Sequence, residues 1–390
     1  MSQRRTTTQR VVIVGGGVSG LSIAVRLAQS GLPVTLFEAS KLGYAASTRN
    51  QGWLYSGASF APVQADLARD CLESLRATEE FCPECIEPGI PTMAYLFSRP
   101  DSLKTPWTKA WDEVGIPYKP MTVEEVRKHF PTMNRESIQH AFALPDRAMR
   151  TDTLLARLAA TARNCGAEIR TETPISKLMI DDDQTVNGVV TGTGEEISAR
   201  LVIVATGAVS LQDLDHPDPR DQSDYKRVGL KTHLMAVEPP VGILPFCVVD
   251  QEGFNHIPHE GASVFGSNHW VVATNPRNQS VDAPEVERIQ RGVEHFFPGM
   301  IESARRVVSW AGVTMQAMHV EQIEPGQVPL PTVIEHSRNA PQLHNLVSVY
   351  SGRASLWVKL AEETRAVVLE LLESDDLTTT RPPWTVDSRT

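Results

Sequence analysis

VVIVGGGVSGLSIAVRLAQSGLPVTLFE, residues 11–38, decides how the rest of the chain is read. Val11–Val14 is an unbroken β-branched run, the composition of a strand buried on both faces. Three glycines follow, and from Ser19 to Ser30 the residues Leu21, Val25 and Ala28 fall on one face at helical spacing. Gly31 stops that helix and Val34–Phe37 forms a second strand. Strand, helix and strand in this order make a βαβ unit, which predicts a parallel sheet. Gly15-x-Gly17-x-x-Gly20 stands where a pyrophosphate-binding turn needs it, after one strand and opening one helix. Gly15 permits the tight turn, Gly17 lets backbone N–H groups approach phosphate, and Gly20 lets the helix pack on the sheet. Val18 and Ser19 then carry the partial positive charge of the helix N-terminus. Glu38, followed by Ala39, ends the second strand at the place for binding ribose hydroxyls. The spacing predicts a dinucleotide site without choosing between FAD and NAD.

Composition narrows the remaining classes. With 37 basic and 47 acidic residues the 390-residue chain carries −10, which argues against nucleic acid as the main partner. No apolar stretch approaches the ~18 residues of a membrane span, so no transmembrane segment is expected. The Arg4-Arg5 pair precedes too short an apolar run, with no cleavage site, to read as an export signal. Five cysteines, an odd number, do not build a secreted disulfide framework, and a cytoplasmic location is expected.

Further along, helices are expected at Asp66–Phe81, at Thr153–Asn164 behind an Asp152 cap, at Ala283–Phe296 and at Ala354–Leu372. Strands are expected at Met93–Phe97, Glu168–Thr171, Ile175–Ile180, Val186–Thr191, Leu201–Ala205, Leu230–Val237, Val264–Gly266, Val271–Ala273, Ser309–Met318 and Leu346–Tyr350. Gln212–Arg227, polar and holding Pro217 and Pro219, reads as a linker, and the last 15 or so residues as a loose tail.

Several segments then converge on one resemblance. Val11–Glu38, Ser47-Thr48-Arg49-Asn50-Gln51-Gly52 and Leu201–Gly207 (LVIVATG) look like the FAD-dependent D-amino-acid-oxidase-like superfamily. Asn50-x-Gly52-x-x-x-Ser56-Gly57, Trp310-Ala311-Gly312-Val313 and Ser351-Gly352-Arg353 are similar to the glycerol-3-phosphate dehydrogenase and L-2-hydroxyglutarate dehydrogenase/oxidase families within it. The resemblance implies an α/β fold: a Rossmann-type, glutathione-reductase-like FAD-binding domain interleaved with an α+β substrate domain on a mixed or antiparallel sheet. The expected FAD segments are 8–82, 146–215 and 319–375, the substrate segments 83–145 and 216–318, and the tail 376–390. Expected cofactor contacts are Gly15, Gly17, Val18, Ser19, Gly20, Glu38, Ala39, Thr48, Arg49, Asn50, Gln51, Gly52, Ala205, Thr206, Gly207, Gly352, Arg353, Ala354 and Ser355. Residues 47–57 would lie along the flavin and Gly352–Ser355 would close over its N1/O2 edge. A flavin tether at a cysteine in the C-terminal third, as in the sarcosine-oxidase relatives, is not expected after Cys247, so the FAD reads as non-covalent.

Two departures from the relatives matter. Tyr55 stands where they often carry His, and Thr314 where they carry an anion-gripping Arg. The implied activity is an FAD-dependent oxidoreductase that takes hydride from the C–N carbon of a small polar amine or amino acid. A 2-hydroxy acid or polyol C–O bond, or a tailoring oxidase or monooxygenase, stays open beside it. Oxygen or another acceptor would reoxidise the flavin. Candidate catalytic groups are Tyr55, His256, His259 and Arg353, with Trp53 and Trp357 as pocket walls. His256-x-x-His259 lacks the partners of a metal site, and no metal is expected. Cys82-Pro83-Glu84-Cys85 reads as two buried thiols.

Overall fold

The computed structural model of the protein describes residues 10–90, 92–100, 107–208, 225–250, 253–259, 261–267, 269–319, 330–339, 342–372 and 384. The chain divides into two compact units: residues 1–48, 152–229 and 314–390, and residues 49–151 and 230–313.

The first unit is built on a six-stranded sheet. β1 (Val11–Val14) lies at its centre and pairs in parallel with Leu201–Val204 on one side and β2 (Val34–Phe37) on the other. Leu346–Tyr350 and Glu168–Arg170 extend the parallel array outward, and Thr332–Glu335 closes one edge antiparallel. The valine run folds this way because a central parallel strand is covered on both faces; all four residues of β1 are buried. α1 (Val18–Gln29) connects β1 to β2. A three-stranded antiparallel sheet, Ile175–Ile180, Val186–Thr191 and Glu196–Ser198, packs Leu178, Val186, Val189 and Ile197 against Val12, Val14, Val202 and Val204. The closing helix Trp357–Leu372 packs beside α1, where the Arg365 guanidinium donates to Ser30 Oγ at 2.7 Å.

The second unit holds most of a nine-stranded mixed sheet. Met93–Phe97 and Phe246–Val248 run parallel, while Phe254–His259 pairs antiparallel with Phe246–Val248 and Ala262–Ser267, and His140–Leu144 antiparallel with Met93–Phe97 and Lys119–Met121. Phe130, Phe246, Phe254, Phe265, Phe296 and Phe297 form its core with Met235 and Val237. The long strands Tyr225–Glu238 and Arg306–His319 contribute residues to both units.

Several boundaries differ from the sequence expectation. The second unit begins at Arg49 rather than at residue 83. The reason is the helix Ala65–Phe81, which buries Leu67, Cys71, Leu72 and Leu75 and packs on the helix Trp107–Val114; Trp111 Nε1–H also donates to Ala58 O at 2.9 Å. It ends at Thr151 rather than 145, because Ala148 and Arg147 pair with Trp53 and Leu54. The later crossings fall inside strands, at Gly229/Leu230 and Val313/Thr314; the expected cut at 215/216 lies outside the described residues. Of the expected linker, residues 212–224 lie outside the described residues, while Tyr225–Arg227 are strand. The helix expected behind an Asp152 cap starts at Thr151, so Asp152 sits in its first turn. Residues 1–9, with the Arg4-Arg5 pair, lie outside the described residues.

The expectation of a loose tail needs correcting at one residue. Trp384 is 6% exposed, meets Trp357 edge to face at 4.4 Å between centroids, and carries the Arg26 guanidinium 3.5 Å above its ring. Apolar area and a cation–π contact both hold it there. No helix among the described residues is long and apolar enough to cross a membrane.

Candidate active site

In the first unit the glycine turn is shaped by what each Cβ would strike. Gly15 adopts φ +116°, and a side chain there would lie 2.4 Å from Ala205 O. The turn therefore seats on Ala205 and Thr206, which brings two separately expected cofactor segments together. A Cβ at Gly20 would fall 1.9 Å from Gly15 O. Gly17 is the N-cap of α1 and provides no side-chain cap, and the first helical turn has no acidic residue. With the Val18 N–H taken by Ser47 Oγ, the following N–H groups of the first turn are presented to an anion, as a phosphate cradle requires. The Glu38 carboxylate accepts from Gly16 N–H at 2.7 Å and Ser40 N–H at 2.8 Å, fixing it at the end of β2 beside the turn.

Two residues outside the expected contacts help to build this side. Ser47 Oγ accepts from Val18 N–H at 3.0 Å. It belongs to the quoted run 47–52, so its place was readable there. Gln316 had no signal in its local sequence. Its Nε2 donates to Gly352 O at 2.9 Å, while its Oε1 is buried with no hydrogen-bond partner among the described residues. Gly352 adopts φ +68° and opens the run that leads through the 3₁₀ turn Ala354–Leu356 into the closing helix. Arg353, half-buried, donates its N–H to Ser351 O at 2.7 Å, and Ser355 is buried.

In the second unit residues 49–57 are held from several directions. Arg49 O accepts from Trp310 Nε1–H at 3.1 Å, and Asn50 Oδ1 from Gly52 N–H at 2.7 Å. Gln51 Nε2 donates to Val264 O at 2.7 Å. Gly52 has φ +79°, and a Cβ there would lie 2.3 Å from Met149 O. His259 Nε2–H donates to Gln51 O at 2.9 Å, and its Nδ1 stands 2.9 Å from Glu87 Oε1. His259 is therefore placed on the very segment that the resemblance assigns to the flavin. Exchange of His259 for Leu is expected to lower kcat and shift the flavin absorbance bands by loosening Gln51, with His259→Gln restoring most of both. Stopped-flow spectra of the two variants check this.

Beneath the same segment lies Asp146, which sequence reasoning missed. It is fully buried and accepts from Trp53 Nε1–H at 2.8 Å, from Tyr95 O–H at 3.2 Å and, in a short bond, from Ser56 O–H. Burial pushes its carboxyl above the usual range, against the pull of those hydrogen bonds. Tyr55 stacks on Trp53 at 4.4 Å and leans on Phe60 at 5.3 Å, so its ring is fixed through Trp53.

His256 must be withdrawn as a candidate base. It is 0% exposed among Phe130, Phe246 and Phe265, and its ring nitrogens engage Leu244 O at 3.1 Å and Ser263 Oγ at 2.8 Å. Burial lowers it to about 3, so it stays neutral in the core. The three-residue offset on one strand also puts His256 and His259 on opposite faces. Among the described residues no three His, Cys, Asp or Glu side chains gather to hold a metal. Cys82 and Cys85 are buried free thiols, and the hydrogen bond between them raises Cys85 above its ordinary value.

A parallel sheet with this turn, a helix opened by a glycine N-cap and an acidic residue closing β2 define a dinucleotide-binding protein of the α/β class. The chain belongs to the FAD dependent oxidoreductase family, whose model matches residues 10–339. It is 26% identical, over 94% of its length, to the anaerobic glycerol-3-phosphate dehydrogenase subunit A1 of Haloferax volcanii, and spans 64% of that longer protein. It is likewise 26% identical to the glycine oxidase of Geobacillus kaustophilus, covering 93% of this chain and 92% of that one. In three dimensions it is similar to the L-alpha-glycerophosphate oxidase of Mycoplasma pneumoniae with FAD bound, at TM-score 0.71 and 19% identity over 97% and 98% of the two chains. The enzyme uses FAD, and the cradle formed by Gly15, Gly17 and Gly20 fits its pyrophosphate.

Proposed function

We propose that the enzyme oxidises the C–N carbon of a small amine or amino acid, and the residue that carries this reading is Thr314. The resemblance puts an anion-gripping arginine at that position in the hydroxy-acid and glycerol-phosphate enzymes. Here Thr314 and Gln316, which share a face of the strand Arg306–His319 at two-residue spacing, are both neutral. A neutral pair cannot offer the bidentate charged grip that a phosphate or second carboxylate takes from guanidinium. The match to glycine oxidase along nearly the whole of both chains supports the same reading.

Bound FAD supplies the hydride acceptor and passes the electrons to oxygen or another acceptor. The chain's own residues do the rest. Glu38 would hold ribose hydroxyls, and the α1 N-terminus would hold phosphate through Ser19 and Gly20, the Val18 N–H being taken by Ser47 Oγ. Residues Thr48–Gly52 and Gly352–Ser355 would each contribute to holding the ring non-covalently. Arg353 would take a substrate carboxylate, and Tyr55 would serve as a catalytic-side aromatic group. Five free thiols fit a cytoplasmic enzyme.

Anaerobic mixing with glycine, sarcosine and larger amino acids is expected to bleach the flavin, whereas glycerol 3-phosphate and 2-hydroxyglutarate leave it yellow. The similarity to glycerol-3-phosphate dehydrogenase favours the opposite outcome, C–O oxidation, and bleaching by glycerol 3-phosphate alone would establish it. Bleaching by NADPH alone would indicate a monooxygenase. Substituting Arg353 with Met is expected to raise KM for a carboxylate-bearing amine about tenfold while sparing a simple amine, the loss of one charged pair.

A further inference from the structure

Among the described residues, Gln316 carries a buried acceptor whose chemistry points to a specific kind of ligand atom. Its side chain is 2% exposed, and its amide is oriented by the bond from Nε2 to Gly352 O at 2.9 Å. A carbonyl oxygen can only accept, so the end facing it is the NH2 group and Oε1 is the end left over. Oε1 has no partner among the described residues, and it lies 2.8 Å from where a Gly352 Cβ would stand. Buried amide oxygens in folded proteins find donors. The open flank of Gly352 therefore carries an acceptor waiting for an N–H or O–H.

We propose that Gln316 Oε1 accepts the N3–H of the flavin. The pyrimidine edge of the isoalloxazine offers acceptors at N1, O2 and O4 and a single donor at N3. Backbone N–H groups in the run 352–355 suit the acceptors; only an acceptor suits N3–H, and Gln316 supplies one. The inference rests on the reading that Gly352–Ser355 faces the flavin. An amine substrate carries the same N–H chemistry and is the competing source of the donor.

Apoprotein titrated with FAD and with N3-methyl-FAD, read by flavin fluorescence, separates these. Wild type is expected to bind the methylated cofactor about tenfold more weakly, the scale of one lost hydrogen bond and one orphaned acceptor. Gln316→Leu is expected to weaken FAD binding by a similar factor and to bring the two cofactors within about twofold of each other. Gln316→Met keeps the length without the amide and serves if the leucine variant does not fold. Equal binding of both cofactors by wild type overturns the proposal. So does an unchanged preference in the variants, and a raised KM for amines with intact FAD affinity would assign the donor to substrate. Gly352→Ala tests the underlying reading separately. Its positive φ and the crowding by Gln316 should weaken FAD binding, and unaltered binding of both cofactors would show that residues 352–355 do not face the flavin.

Discussion

Gly20→Ala is expected to purify without colour. The added Cβ would sit 1.9 Å from Gly15 O and 3.4 Å from Ile13 Cγ2, and the first of these is backbone that cannot rotate away. α1 must therefore lift from β1, and its N-terminal N–H groups, which gain their hold on phosphate from their aim, move with it. Overpacking of this kind costs about 1–3 kcal/mol in the fold alone. The loss of FAD compounds it, because bound ligand stabilises the native state by mass action. The measurement is the flavin absorbance of purified protein together with melting curves with and without added FAD. Wild type should gain several degrees from FAD and the variant almost none. Gly31→Ala is the control for substitution at a glycine: its φ is also positive, +85°, but its Cβ meets nothing within 4 Å. A yellow, fully loaded Gly20→Ala protein would remove the turn from the cofactor site.

Asp146 should show an effect of similar size for a different reason. Removing the carboxylate in Asp146→Ala strands three buried donors at once: Trp53 Nε1–H, Ser56 O–H and Tyr95 O–H. Trp53 cannot reverse its role, since indole N–H only donates, whereas the two hydroxyls can turn. A loss of about 3 kcal/mol is expected, from about 1–3 kcal/mol for each group left unmet with partial relief by the hydroxyls. Asp146→Asn keeps an oxygen for Trp53 and Tyr95 and lets its NH2 donate to Ser56, so most of the stability returns. The pH dependence separates charge from shape. Burial raises the folded-state pKa, so the carboxyl's contribution is fully present below the unfolded value near 4 and is lost as pH rises through the folded value. Asp146→Asn has no such titration. Denaturation at pH 4 and pH 7 should show the variant gaining on wild type at the higher pH; parallel curves would refute a raised carboxyl.

Much of this architecture was legible where a signal was local. The run Val11–Val14, the glycine turn and Val34–Phe37 announce themselves because strand composition, helical period and glycine spacing agree within one short stretch. Ile175–Ile180, Val186–Thr191, Ala283–Phe296 and Leu346–Tyr350 match their expected bounds for the same reason. What escaped was set by partners far away in sequence. Asp146 looks like an ordinary turn residue in Pro145-Asp146-Arg147 until Trp53, Ser56 and Tyr95 close over it. Gln316 reads as one polar position in a strand until Gly352 fixes its amide. His256 and His259 look equivalent in sequence, yet the strand's alternation sends one into a phenylalanine core and the other to Gln51. The unit boundary at Arg49 was hidden because the amphipathic pattern of Ala65–Phe81 shows that one face is buried but not which partner covers it.

The pairing around β1 also sets a schedule for biosynthesis. Val11–Val14 emerges from the ribosome with its neighbour Val34–Phe37 soon after, but its other neighbour, Leu201–Val204, follows about 190 residues later, and Leu346–Tyr350 later still. Until then an all-apolar strand has an unpaired edge, and the intervening segment 49–151 has already been made. Long-range parallel pairing of this kind folds slowly and leaves a sticky edge exposed. Yield of the intact enzyme should therefore respond to slower translation, lower temperature or added chaperone more than to changes in surface charge.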